Sequence, residues 1–207
     1  MNQTWKDVIR GVHKTLRTER KKMPINAQSP TIASSHGIPQ RKRITRWGKG
    51  AVAGVIAGAL FLAVEMVLLK VFGGGNIWVP LRLSASITLG NRAVATSTPF
   101  TFDIFFIGMM MHFLLSILYT VVLGMLIHNL KPAAAILAGA GFGLLMYLFH
   151  FYGLTAFYPW VANSRSWIVV VGHLLFGMSA AWIYSHLHMR QLMRDAGLSP
   201  DANRRTL

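Results

Sequence analysis

The chain of 207 residues contains no cysteine and only six acidic residues. The first absence excludes disulfides, thiolate metal sites and cysteine nucleophiles. Charge of any kind is sparse: 13% of residues are Asp, Glu, Lys or Arg, against 53% hydrophobic. That balance is too apolar for an ordinary soluble domain of this length. Also missing are a nucleotide-binding glycine loop, an HExxH metal motif and a nucleophile elbow, so nothing points to an enzyme. The first apolar run starts too late and is too long for a cleaved signal peptide, and no A-x-A-like site follows it.

What the sequence does have is apolar length. Four runs, about 51–69, 104–127, 133–152 and 167–185, are nearly free of charge. Each approaches or exceeds the roughly 20 residues that cross a hydrocarbon core of about 30 Å. One such run could be a buried helix of a soluble protein. Four of them leave too little polar sequence to wrap them. The expectation is an all-α membrane protein: a four-helix transmembrane bundle, with an N-terminal amphipathic interfacial helix and a long outer loop between spans one and two.

The formal net charge is +15, but 12 of the 21 Lys and Arg lie in the first 50 residues. A basic soluble fold would suggest nucleic acid. A basic tail does not, and none is expected as a partner. In "TWKDVIRGVHKTLRTERKK" the residues Trp5, Val8, Ile9, Val12 and Leu16 recur at helical spacing, while Lys6, Arg10, Lys14 and Arg17 take the other side. This is the pattern of a helix lying among anionic lipid headgroups. The segment 24–40 reads as linker. In "RKRITRWGKG", Arg41, Lys42 and Arg43 lead five cations and a Trp up to the first span, a cytoplasmic-side signal. Arg190, Arg194, Arg204 and Arg205 follow the last span, and Lys131 sits in the tight "HNLKP" connection. Arg82, Arg92 and Arg165 fall on the opposite side, with Lys70 at the edge. Both termini inside with an even number of spans is self-consistent. The chain therefore divides into a basic tail (1–50), a membrane domain (51–188) and a basic C-terminal tail (189–207).

The connection 71–103 is long, and its Trp78, Pro80 and apolar residues predict a surface helix or re-entrant segment. A second outer loop, "TAFYPWVANSRS", carries Tyr158, Pro159 and Trp160, typical interfacial anchors.

Each span also holds one ionisable side chain: Glu65, His112, His150 and His173. At about 1.5 Å rise per residue they fall roughly 7, 12, 3 and 9 Å below the outer ends of their spans. Their faces agree as well. Glu65 follows Gly50, Gly54 and Gly58. His112 belongs to the stripe Gly108, His112, Ser116, Thr120, Gly124. His150 follows Gly139, Gly143 and Tyr147, and His173 precedes Gly177, Ala181 and Tyr184. Small residues let membrane helices approach, and polar residues face the interior. A shared polar site of Glu65, His112, His150 and His173 is expected in the outer half, supported by Ser116, Tyr119, Thr120, Tyr147 and Tyr184. Met109, Met110 and Met111 suggest Cu(I) by residue type. Consecutive residues diverge around a helix, however, so packing explains them better.

Spans two to four resemble the YagU-like family of small bacterial inner-membrane proteins. The resemblance is carried by "HFLLSI" from His112, the glycine-rich third span ending in "FHF" at His150, "GLT" at Gly153 to Thr155, "PW" at Pro159 and Trp160, Asn163, and "GH" at Gly172 and His173, with "VPLR" at Val79 to Arg82. It covers about two-thirds of the chain. It implies a four-helix protein of the bacterial inner membrane with these histidines at family positions. It supplies no chemistry beyond a loose association with acid tolerance.

Three functions compete. One is a proton-responsive or proton- or small-cation-linked bundle, since histidine titrates near pH 6.5. The second is a haem b or divalent-metal subunit, with His112 and His173 as the ligand pair. The third is a scaffold, as a homo-oligomer or within a larger membrane complex.

Overall fold

The structure, a computed structural model, describes residues 45–195 apart from 74, 75, 96, 98 and 100, with side chains described to residue 193. The expected amphipathic tail helix, with Trp5, Lys6, Arg10, Lys14 and Arg17, lies outside the described residues. So do Arg41, Lys42 and Arg43.

In chain order the helices are α1 (Arg46–Phe72), α2 (Val79–Leu89), α3 (Phe102–Ile127), α4 (Pro132–Leu148) and α5 (Trp167–Asp195). Among the described residues there is no strand. The four long helices are long and apolar enough to cross a membrane. Local chemistry fixes their starts. The Thr45 hydroxyl accepts from the Gly48 N–H at 3.1 Å and caps α1, which begins at Arg46 rather than at 51. Pro132 opens α4, where its missing N–H is no loss.

Two ends differ from the expected bounds. The third span does not stop at 152. It passes through a π-helical turn, Phe149–Gly153, and a 3-10 turn, Leu154–Ala156, so the apolar segment runs Pro132–Ala156. The fourth helix continues past 185 to Asp195, so the C-terminal tail begins as helix. The long connection after α1 contains α2 and a 3-10 turn, Gly90–Ala93.

Burial is inverted relative to a water-soluble protein. Large apolar residues such as Ile56, Leu60, Phe106, Leu114, Leu118, Leu137 and Leu145 are exposed, while Glu65, His112, Ser116, Thr120 and His173 are buried. That is what a hydrocarbon solvent asks of a helix: apolar outward, polar and small inward.

Glycine sets the helix pairs. A Cβ on Gly54 would lie 2.7 Å from Ile117 Cα and 2.8 Å from the Ser116 carbonyl, so α1 and α3 pack backbone to backbone. Gly139 and Gly143 of α4 meet the carbonyls of Gly177 and His173 on α5 in the same way. Phe61 of α1 lies over Gly172 of α5 and joins the two pairs. Across the remaining seam, α3 and α4 hardly touch, although they are consecutive in the chain. Gly108 lets α2 settle on α3, against the Leu81 carbonyl.

The end carrying α2 is tied by side chains. Arg82 Nη1 donates to the Ala93 carbonyl at 2.9 Å, and Trp160 Nε1 to Ser86 Oγ at 3.0 Å. Arg92 pairs with Asp103 at 2.8 Å. At the opposite end Lys49 Nζ donates to His188 Nδ1 at 3.0 Å, and the Tyr184 ring fills the space beside Gly124.

Candidate functional site

One cavity of about 120 Å³ lies among the long helices beneath α2. Glu65, His112, His150 and His173 all line it, one from each span, together with Ser116 and Tyr119. The rest of its wall is mostly apolar and aromatic, with Phe61, Phe151 and Phe176 prominent.

The histidines are held by bonds that fix where their protons sit. His112 Nε2 is 2.9 Å from the Gly58 carbonyl across the α1–α3 contact. A carbonyl only accepts, so Nε2 carries the hydrogen, leaving Nδ1 as a lone pair in the neutral ring. The His112 carbonyl in turn accepts from Ser116 Oγ at 2.7 Å. His173 Nδ1 donates to the Val169 carbonyl one turn back, at 2.9 Å, so its Nε2 is the acceptor. That nitrogen faces His150 Nδ1 at 3.4 Å, longer than an ordinary hydrogen bond. His150 Nδ1 is thereby the donor and its Nε2 the acceptor, and the Tyr119 hydroxyl donates to Nε2 at 2.7 Å. A directed chain results: Tyr119 to His150, His150 to His173, His173 to the Val169 backbone.

The π-helical turn carries His150. Such turns widen a helix by one residue and re-aim side chains. This one is braced from outside the span, where Arg165 Nε donates to the Phe151 carbonyl at 2.8 Å and its guanidinium lies 4.1 Å over the Tyr152 ring. Because the apolar segment continues to Ala156, His150 lies deeper than its expected few ångströms and comes level with His173.

Two supporting candidates lie elsewhere. Tyr184 is about 16 Å along α5 from His173, taking the helical rise per residue, and stacks on His188. Thr120 is wholly buried one turn beyond Ser116, off the cavity wall, and its hydroxyl has no hydrogen-bond partner among the described residues. Tyr147 does not line the cavity either, but its ring packs edge-on against His173 at 5.9 Å between centroids.

Phe61 is the residue that sequence reasoning passed over. Its ring packs against both imidazoles, 5.6 Å from His112 and 5.1 Å from His173 between centroids. With that ring against both, a haem b ligated by the two histidines does not fit this packing. Among the described residues no group of three or more His, Asp or Glu side chains is disposed to hold one metal ion. Nothing in the sequence marks Phe61 except its position one turn from Glu65.

No protein family, curated protein or solved structure matches this chain.

Proposed function

We propose that this chain is a four-span bundle of the bacterial inner membrane, with both termini cytoplasmic, whose outer-half cavity binds a proton and couples it to the state of the bundle. The bias of Lys and Arg to the tail end supports the orientation. The resemblance of spans two to four to the YagU-like family belongs to the same proposal.

The observation that carries the reading is the chain Tyr119–His150–His173 in a cavity that Glu65 also lines. Neutral histidines already linked donor to acceptor take up a proton with little rearrangement. A proton arriving at Tyr119 Oη releases the hydroxyl hydrogen to His150 Nε2. His150 then passes its Nδ1 hydrogen to His173 Nε2. There the relay ends, because His173 Nδ1–H rests on the Val169 carbonyl, which passes nothing on. This dead end favours a site that stores a proton over one that conducts it. The stored charge would share the cavity with the Glu65 carboxyl, which can supply the compensating charge a low-dielectric interior demands.

The test is a proton count. Between pH 8 and 3, wild-type protein in proteoliposomes should take up about one proton per chain more than the variant carrying His112→Gln, His150→Gln and His173→Gln, as linkage requires of a group that titrates only in the former. Equal uptake would remove the proposal.

A further inference from the structure

The cavity has a polarity that the histidines themselves do not announce. Apart from the hydroxyl of Tyr158, which also lines the cavity, each side-chain hydrogen that could point into it with Glu65 ionised is already committed. His112 Nε2–H goes to Gly58, Ser116 O–H to the His112 carbonyl, Tyr119 O–H to His150, His150 Nδ1–H to His173 and His173 Nδ1–H to Val169. What remains open is lone pairs: His112 Nδ1, the Ser116 and Tyr119 oxygens, and the Glu65 carboxyl. Glu65 is 4% exposed and lines the cavity, and its carboxyl has no hydrogen-bond or ion-pair partner among the described residues. A wall richer in acceptors than in donors, with an unpaired acid, disfavours an anion. It suits a cation that brings its own N–H donors.

The remainder of the wall sets the body of that cation. The rings of Phe61, Phe151 and Phe176 present π faces and edges, which favour an organic cation over a hydrated inorganic one. The volume of about 120 Å³ is slightly below the roughly 150 Å³ of an engineered cavity that admits benzene, so the ligand has about five or six heavy atoms. A divalent metal would need three protein ligands or more, and no such group occurs among the described residues.

We infer that the cavity binds a small primary or secondary organic ammonium ion, its two or three N–H groups shared between Glu65 and acceptors among His112 Nδ1 and the Ser116 and Tyr119 oxygens, its apolar body among the phenylalanines. The inference rests on the reading of this cavity as the working site. The ammonium and the stored proton then compete for the charge of Glu65.

Titration calorimetry on the full-length protein in mild detergent tests it, using butylammonium, tetramethylammonium, 1-butanol and butyrate. Butylammonium should bind saturably, one per chain. Tetramethylammonium has the charge without the donors, and 1-butanol a donor without the charge. Both should bind at least tenfold more weakly, and butyrate not at all. Glu65→Gln should weaken butylammonium at least tenfold, while Glu65→Asp should retain most of the affinity. Absence of saturable butylammonium binding overturns the inference, as does tetramethylammonium binding equally well. The ligand series on the unaltered protein decides the matter even if Glu65→Gln does not fold. Butylammonium binding without the extra proton uptake removes the proton reading and leaves this one standing. Proton uptake without butylammonium binding does the reverse.

Discussion

His112 on α3 donates its Nε2 hydrogen to the carbonyl of Gly58 on α1, at 2.9 Å. Two residues 54 positions apart in the chain meet because α1 carries no side chain at that point. A Cβ on Gly58 would stand 2.7 Å from Ser116 Oγ. The glycine row of α1 therefore does two things: it sets the spacing of the helices and it fixes the tautomer of a cavity histidine.

The same spacing makes glycine replacements unequal. Gly54→Val should destabilise the protein by about 1–3 kcal/mol, because the new side chain meets the Ile117 backbone, which cannot turn away. Gly141→Ala, with nothing within 4 Å of the new Cβ, should be neutral or gain up to about 1 kcal/mol of helix propensity. Thermal unfolding in detergent, followed by circular dichroism, compares the two. Equal effects would mean that the α1–α3 contact is looser than described.

The Tyr119–His150 hydrogen bond should register as a coupling. In a double-mutant cycle of Tyr119→Phe and His150→Gln, the interaction energy should be about 0.5–1.5 kcal/mol, the net worth of one hydrogen bond. Unfolding midpoints of the four proteins give it directly. Additivity within about 0.3 kcal/mol would show that the two side chains act independently.

Arg165 should govern the π-helical turn from a distance. Arg165→Met removes both the bond to the Phe151 carbonyl and the contact with the Tyr152 ring. A hydrogen bond from a charged donor is worth about 1.5–3 kcal/mol, and stability should fall by an amount of that order. Amide exchange should quicken selectively over 149–156. Arg165→Lys should not restore it, since an ammonium cannot lie flat on a ring and donate sideways at once. Unchanged exchange would detach Arg165 from the site.

Much of this architecture was legible in the sequence, for a physical reason. A segment that must satisfy its own backbone in hydrocarbon has to be a long apolar helix, so four spans could be counted from length and charge alone. Spacing also identified the inward faces, because residues three, four and seven apart share a side. Spacing reports direction around a helix and not height along it. Tyr184 and Thr120 were assigned to the site because they share a stripe with His173 and His112, yet the stripes continue well past the cavity. The depth of His150 was misjudged because no residue pattern announces that a helix will widen into a π turn and continue to Ala156. Phe61 was missed because, in an apolar run, one more phenylalanine carries no signal.

The thin contact between α3 and α4 is the feature that would set how the cavity is reached. Glycine locks α1 to α3 and α4 to α5, while α2, held by Arg82 and Trp160, roofs one end. The seam bridged by Tyr119 and His150 is left as the least sealed side. In a bundle that spans a membrane such a seam faces acyl chains, and a visitor entering there would dissolve in the lipid first. How strongly a solute partitions into oil would then weigh as much in its occupancy as its fit to the walls.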